Sequence, residues 1–220
     1  MKNNLIYKFL ILFVLFICFF NANSEELKFE ASSIEIIDKD RIIIANDGVK
    51  ILSGNEITID ANQMRYDKEK KFLKAKGNIV VRNQIENIEI KSDNISYDKK
   101  NEKIISSGNV VVIFENNYTL YTREIIYLRS PKEIIVNYIS KITDKFGNEI
   151  EFEQLNYHAK NKLLKGKKVK LLDFQKNLYN FDSAIIDFSK NQIIADNVSI
   201  DFDKSIFGNP LNDPRLTGNY

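Results

Sequence analysis

The sequence is poor in the residues that build metal and catalytic sites. Its 220 residues include one cysteine, Cys18, and one histidine, His158. A single thiol cannot form an internal disulfide, and a metal site needs several converging histidine, cysteine or carboxylate ligands. His158 is therefore expected to lie at a surface turn. The acidic residues are scattered through polar turns, so no carboxylate pair can be assigned as acid and base. The sequence predicts a protein that is not an enzyme and that holds no metal or cofactor.

The sequence also lacks an excess of charge of one sign. The 32 basic residues outnumber the 30 acidic residues only through Lys2 and Lys8, near the start of the chain. This balance argues against a nucleic-acid partner. One local cluster is basic, and Lys165, Lys167 and Lys168 at its centre are candidates for contact with an anionic group. The alternative is a solvated hairpin whose lysines protect an edge strand from pairing.

A long apolar run is found at the N-terminus. Twelve apolar residues, 9–20, follow the two lysines and precede the small residues Ala22 and Ser24. This layout predicts a secretory signal peptide over residues 1–24, with cleavage before Glu25. A membrane anchor is the alternative, although a spanning helix needs about 20 apolar residues. Lipidation is not expected, because Ile17 rather than a small residue precedes Cys18.

The sequence contains instead a repeat of about 30 residues. Residues 66–81 read YDKEKKFLKAKGNIVV and residues 97–112 read YDKKNEKIISSGNVVV, with seven of sixteen positions identical. Tyr127 and Tyr157 continue the series at intervals of 30, and Asp187 takes the next place. Each copy reads as strand, polar turn and strand. Because one such unit cannot bury its apolar face alone, we expect several to stack or wrap.

Apolar and polar residues alternate within each unit, which is the periodicity of a β-strand. The repeated tyrosines could form an aromatic packing ladder or contact a sugar or lipid. Alternating apolar residues fit a sealed core and a ligand groove equally well. The inward positions, which are the candidate groove, are Ile57, Ile59, Ile79, Val81, Ile88, Ile90, Val110, Val112 and Phe114.

The predicted fold class is all-β, and two architectures fit the repeat. One is an elongated antiparallel β-jelly roll that forms an open-ended trough, and the other is a right-handed parallel β-solenoid. The polar stretch 98–102 reads as a hairpin turn between two long strands, which favours the antiparallel trough. Gly108 interrupts the return strand and predicts a β-bulge there.

The repeats resemble the OstA-like domain of the lipopolysaccharide-transport family. The resemblance lies in SDNISYD at 92–98, GNVVV at 108–112 and their copy at 61–81. It covers about residues 26–202, which sets the expected domain at 25–203 with an extended linker at 204–220. The stretch FGNPLNDPRLTG at 207–218 is similar to the segment that follows this domain in the outer-membrane lipopolysaccharide-assembly protein, where it leads into a transmembrane β-barrel.

The resemblance implies a function in the periplasm or at the periplasmic face of the outer membrane. Lipopolysaccharide acyl chains would lie in an apolar groove, and other OstA-like bridge subunits would join by edge-strand addition. The chain is expected to be an N-terminal piece of the assembly protein, whose partners would be an outer-membrane barrel and its lipoprotein plug, or else a free bridge subunit. Two other interpretations remain open: a β-solenoid adhesin or polysaccharide-interacting exported protein, and a scaffold tethered by an uncleaved N-terminal segment.

Overall fold

The computed structural model describes residues 27–115, 117–203 and 215–218, so the predicted signal peptide and most of the predicted linker lie outside the described residues. Within this part of the chain, seventeen strands form one continuous antiparallel sheet. In chain order they are β1 (Leu27–Glu30), β2 (Ser33–Ile37), β3 (Ile42–Ser53), β4 (Ile57–Asp67), β5 (Phe72–Asn83), β6 (Ile88–Asp98), β7 (Lys103–Phe114), β8 (Tyr118–Leu128), β9 (Glu133–Val136), β10 (Ser140–Asp144), β11 (Glu149–Phe152), β12 (Gln154–His158), β13 (Leu163–Leu172), β14 (Leu178–Asp187), β15 (Gln192–Asp196), β16 (Val198–Asp201) and β17 (Arg215–Gly218).

The strand pairing decides between the two predicted architectures. Residues Asp67 and Phe72 face each other across one polar turn, and Asp98 and Lys103 face each other across the equivalent turn of the next repeat. Both pairs are antiparallel, as are all other strand pairs of the described residues. The all-β antiparallel fold is therefore confirmed, and a parallel solenoid is excluded for this part of the chain.

A row of β-bulges bends the long strands in the middle. The register of β7 against β8 shifts between Ser107 and Val110, which confirms the bulge predicted at Gly108. Gly108 has a φ of +78°, and a Cβ atom there would lie 2.6 Å from Asp93 Oδ2. Asn109 also has a left-handed φ, and its amide Nδ2 donates to Asp93 Oδ2 at 2.9 Å. The repeated Gly-Asn pair thus turns the strand, because a bulge increases local bend and twist.

The bends divide the sheet into two layers that face each other across the core. The first layer consists of 27–30, 49–53, 57–60, 79–83, 88–91, 110–114, 118–122, 140–144, 149–152, 169–172, 178–181, 198–201 and 215–218. The second layer consists of 33–37, 42–46, 63–67, 72–76, 94–98, 103–107, 124–128, 133–136, 154–158, 163–167, 183–187 and 192–196.

The strands differ in continuity along the molecule. Strands β3 to β8 run unbroken through both layers, each with 11 or 12 residues. Beyond β8 the chain uses shorter strands, and each of β9, β10, β11, β12, β15 and β16 belongs to one layer only. Only β13 and β14 cross the bend in this region. Fewer strands therefore connect the two layers toward the C-terminal end.

The end of the described chain differs from the linker predicted over 204–220. Residues 215–218 form strand β17, which pairs with β16 and extends the first layer by one strand. An ion pair between Arg215 Nε and Asp201 Oδ1, at 3.3 Å, accompanies this pairing. The sequence pattern missed the strand because four residues are too few to show a period of two.

Candidate functional site

The nine residues of the predicted groove lie together, and all belong to the first layer. Each is 3% exposed or less, and each packs into one apolar cluster that includes residues of the second layer. This is the packing of a sealed core, since side chains so deeply buried present no surface to a ligand. That these residues line a lipid groove stays a prediction.

Tyrosine hydroxyls connect the two layers along the edge opposite the bend. The Tyr127 hydroxyl oxygen accepts a hydrogen bond from Asn83 Nδ2 at 2.9 Å. The Tyr97 hydroxyl oxygen accepts one from Arg129 Nη1 at 2.8 Å and lies 3.5 Å from Ser53 Oγ. In both cases a second-layer tyrosine meets the end of a first-layer strand. We call this edge the tyrosine seam.

Tyr157 continues the tyrosine seam with an ionic partner. Its hydroxyl donates to Glu115 Oε1 at 2.7 Å, and Lys162 Nζ donates to Glu115 Oε2 at 2.7 Å. Burial and the carboxylate of Glu115 both raise the pKa of the Tyr157 phenol well above its usual value. The neutral hydroxyl therefore remains the donor throughout the physiological pH range.

The tyrosine seam ends at the next repeat. There the structure corrects the alignment of the repeats within this sequence. Leu164 pairs with Tyr157 on one side and with Ile186 on the other, so Ile186 rather than Asp187 occupies the tyrosine position. Asp187 instead holds the following turn, where its Oδ1 accepts hydrogen bonds from the main-chain and side-chain groups of Ser189. Because isoleucine has no hydroxyl, it cannot connect the layers as the tyrosines do.

A cavity opens between the layers just beyond the last tyrosine. Its volume is about 930 Å³. We call it the C-terminal cavity. Its apolar and aromatic lining comes from β8, β11, β13, β14, β15 and β16 and from the residue after β14, and comprises Tyr118, Ile150, Leu171, Tyr179, Phe181, Ile186, Phe188, Ile193, Ile194, Ala195, Val198 and Ile200.

An aromatic cluster closes the inner end of the C-terminal cavity. Phe188 packs against Tyr118 with ring centroids 4.6 Å apart, and it meets Phe114 edge-on at 5.7 Å. Phe114 in turn lies 4.8 Å from the ring of Tyr157, the last residue of the tyrosine seam. The cluster marks the boundary between the sealed core and the open cavity.

Polar groups form the rim of the C-terminal cavity. Asp144 and Asn148 come from one turn, Asp173 from the next, and Asp196 from the end of β15. Asp196 Oδ2 accepts a hydrogen bond from Ser183 Oγ at 2.8 Å. An apolar interior with a polar rim suits an amphiphile, whose chains enter the cavity while its polar head stays in water.

The predicted anion-binding lysines lie elsewhere. Lys165 and Lys167 are exposed on the face of β13 opposite the buried Leu164, so they point away from the space between the layers. Lys168 lies at the bend, where its Nζ is 2.6 Å from Asp182 Oδ1. The structure does not bring these lysines to the C-terminal cavity, and their contact with an anionic group stays a prediction.

Two turns on the rim share a pattern that sequence reasoning missed. Asp144 and Asn148 begin and end one turn, and Asp173 and Asn177 begin and end the next, 29 residues later in the sequence. In each turn the aspartate accepts hydrogen bonds from the main-chain N–H and the side-chain amide of the asparagine four residues on. The signal in the sequence was an Asp-x-x-x-Asn spacing that recurs after 29 residues, close to the length of the repeat.

The remaining sequence features to place are metal ligands, His158 and membrane-spanning segments. Within residues 27–115, 117–203 and 215–218, no group of three or more His, Cys, Asp or Glu side chains could hold a metal ion. His158 lies in β12 rather than in a turn, with Nε2 3.4 Å from Glu133 Oε1. No helix among the described residues is long and apolar enough to span a membrane.

Comparisons with known proteins give a fold neighbour but no family. No protein-family model matches the chain, and no curated protein matches it. One similar solved structure is LptH, the LptA-homologous periplasmic component of the conserved lipopolysaccharide transport device of Pseudomonas aeruginosa. The alignment covers 50% of this chain and 80% of that one, with 15% identity and a TM-score of 0.45. A likeness this low supports no inference about function.

Proposed function

We propose that the protein binds lipopolysaccharide in the periplasm and passes it toward the outer membrane. The observation that carries the proposal is the C-terminal cavity, an apolar space of about 930 Å³ between two β-layers with a polar rim. The resemblance of the repeats to the OstA-like domain supplies the class of ligand. The function needs no catalytic group, because each buried acyl methylene contributes about 0.8 kcal/mol to binding.

The dimensions of the C-terminal cavity suit a part of such a lipid. Small-molecule pockets span roughly 300–1,000 Å³, and this cavity lies near the top of that range. Phe188 and Ile186 form an apolar inner wall, and Asp144 and Asp173 stand at the rim. Acyl chains would replace water against the inner wall, while the sugars and phosphates of the headgroup would remain outside.

The free sheet edges supply a way to join other subunits. Among the described residues, β2 pairs only with β3 and β15 pairs only with β14, so each leaves one edge of main-chain groups open. Each edge carries exposed isoleucines, Ile34 and Ile36 on β2 and Ile193 and Ile194 on β15. Strand addition at these edges would extend the second layer at both of its ends.

The place of the chain in a larger assembly follows from the same resemblance. We propose export by the N-terminal segment, and action either as a free bridge subunit or as the periplasmic part of an outer-membrane assembly protein with a β-barrel and a lipoprotein plug. In both cases one sheet edge would meet a similar β-layered domain. Lys165 and Lys167, on the outer face of β13, remain candidates for contact with anionic headgroups.

Site-specific photo-crosslinking in cells that make lipopolysaccharide tests the proposal. A photoreactive residue at Ile200 or Ile193, in the C-terminal cavity, should form lipopolysaccharide adducts. A residue at Ile135, on the outer face of β9 in the second layer, is the matched control and should form none. If the cavity positions give no more adduct than Ile135, the protein does not hold lipopolysaccharide there and the proposal fails.

A further inference from the structure

Two exposed phenylalanines stand on neighbouring turns at the rim of the C-terminal cavity. Phe146 lies in the turn between β10 and β11, and Phe174 lies in the turn between β13 and β14. Their side chains are 67% and 63% exposed. Leaving two large aromatic rings in water forgoes the stabilisation of their burial. A partner that covers both rings at once would recover this stabilisation.

The two turns hold these rings on rigid supports. In the first, Asp144 Oδ1 accepts hydrogen bonds from the main-chain N–H groups of Phe146 and Asn148, both at 2.9 Å. In the second, Asp173 Oδ1 accepts in the same way from Gln175 and Asn177, both at 2.9 Å. Each aspartate satisfies main-chain donors that would otherwise need water, so the turns are ordered without the help of a ligand.

A hydrogen bond also joins the first turn to the second. Asn148 Oδ1 accepts from the main-chain N–H of Phe174 at 2.9 Å. Strand β11 pairs with β13 in the first layer, so the two turns are neighbours on one edge of that layer. Two strand spacings separate them, which sets their tips about 10 Å apart. Phe146 and Phe174 are thus presented side by side and at a fixed distance.

Each of the two turns also carries a lysine. Lys145 precedes Phe146, with its Nζ 5.0 Å from the centre of the ring, and Lys176 is two residues after Phe174. Asp144 and Asp173 remain charged, but they are half-buried and their carboxylates accept hydrogen bonds within their own turns, whereas Lys145 and Lys176 are exposed. Aromatic rings next to lysines are typical of protein segments that sit at a membrane surface, where the rings enter the acyl boundary and the lysines meet anionic headgroups.

We propose that these two turns dock on the surface of an anionic lipid membrane, with Phe146 and Phe174 inserted at the headgroup boundary. The lysines contribute electrostatic attraction, and the rings contribute buried apolar area. The docking holds whether or not the C-terminal cavity takes up a lipid. Its consequence is that Asp144 and Asp173, on the rim of the cavity, are placed next to the membrane.

The absence of tryptophan from the chain permits a direct test. Phe146→Trp and Phe174→Trp each introduce a single indole fluorophore at a turn tip. The full chain is mixed with vesicles of phosphatidylethanolamine and phosphatidylglycerol, with and without brominated acyl chains as quenchers. We expect a blue shift on vesicle addition and a loss of fluorescence with brominated lipid for both variants.

A matched control separates docking of the turns from attachment elsewhere in the chain. Ile85 is exposed in another turn on the same edge of the first layer, far from the C-terminal cavity. The fluorescence of Ile85→Trp should remain unquenched. Attachment through the N-terminal apolar segment alone, or a protein rather than a membrane as the partner, would leave all three fluorophores unquenched and would overturn the proposal. Equal quenching at all three positions would also overturn it.

Phosphatidylcholine vesicles test the charge requirement. The blue shifts of Phe146→Trp and Phe174→Trp should be smaller than in phosphatidylglycerol-containing vesicles, because Lys145 and Lys176 then lack anionic partners. Equal shifts in the two kinds of vesicle would contradict the preference for an anionic surface. Failure of photo-crosslinking inside the cavity would leave these fluorescence results unaffected, so the two proposals can fail separately.

Discussion

The half of the molecule built by β3 to β8 is sealed, and the half built by β13 to β16 is open. Both use the same repeat, the same antiparallel pairing and the same inward apolar faces. They differ in how often the layers are connected. In the sealed half every strand crosses the bend, and Tyr97 and Tyr127 bond across the tyrosine seam. In the open half Ile186 stands at the tyrosine position, and the layers part around a cavity.

The inward apolar stripe therefore does not by itself distinguish a core from a binding site. Ile59 and Ile193 are both inward residues on strands of the same sheet, yet the first is fully buried and the second is 48% exposed. Ile59 lies on a strand paired on both sides, whereas Ile193 lies on the edge strand β15, where no tyrosine of the described residues connects the layers. A repeat that keeps its apolar pattern but loses the polar connection therefore becomes the candidate for ligand binding.

The largest expected effect is on the free energy of unfolding, when an inward isoleucine is replaced by alanine in each half. Ile59→Ala should lower the free energy of unfolding by about 2–5 kcal/mol, because it leaves a void in packed surroundings. Ile193→Ala should lower it by less than about 1 kcal/mol, because the side chain is half exposed already. Chemical denaturation of both variants measures the difference. Equal losses would mean that the two halves are packed alike.

A smaller effect is expected from removing tyrosine hydroxyls. Tyr127→Phe should cost about 1–3 kcal/mol, since it leaves the amide Nδ2 of the buried Asn83 without its partner. Tyr179→Phe, in the open half, removes a hydroxyl that lies 3.1 Å from Asp173 Oδ2, but Asn177 still donates to that carboxylate. It should cost below about 1 kcal/mol. Thermal unfolding of both variants checks this order. Tyr127→Phe should lower the unfolding midpoint more than Tyr179→Phe does, and the reverse order would contradict the comparison.

The smallest expected effect is at alkaline pH. The pKa of Tyr157 is raised in the folded protein, so its contribution to stability is complete below the usual tyrosine pKa of about 10 and is lost as pH rises above that value. The midpoint of thermal unfolding should therefore fall with pH above 10 less steeply in Tyr157→Phe than in the unchanged protein. Parallel curves for the two proteins would show that the seam hydroxyl is not coupled to folding.

Much of the fold could be predicted from the sequence because its signals are local. Alternation gave the strands, and Gly108 marked the bulge because a positive φ and a close approach to Asp93 leave room only for glycine. The antiparallel pairing followed from the polar hairpin turn at 98–102. These features each depend on a few neighbouring residues.

The candidate site was harder to predict because it depends on contacts between distant repeats. The alignment placed Asp187 in the tyrosine series, one residue from Ile186, and so hid the lost connection between the layers. The candidate groove residues belong to the most regular repeats, which are also those packed most tightly. The cavity instead lies where the repeat has diverged, and divergence carries no periodic signal.

Hydrogen exchange of the purified protein, with and without lipopolysaccharide, tests the central claim most directly. Ligand in the C-terminal cavity should slow amide exchange in residues 178–201, which line the open half. Residues 57–114 should exchange slowly in both conditions, because their layers are already closed over a packed core. Protection confined to 57–114, or no protection anywhere, would contradict the assignment of ligand binding to the open half.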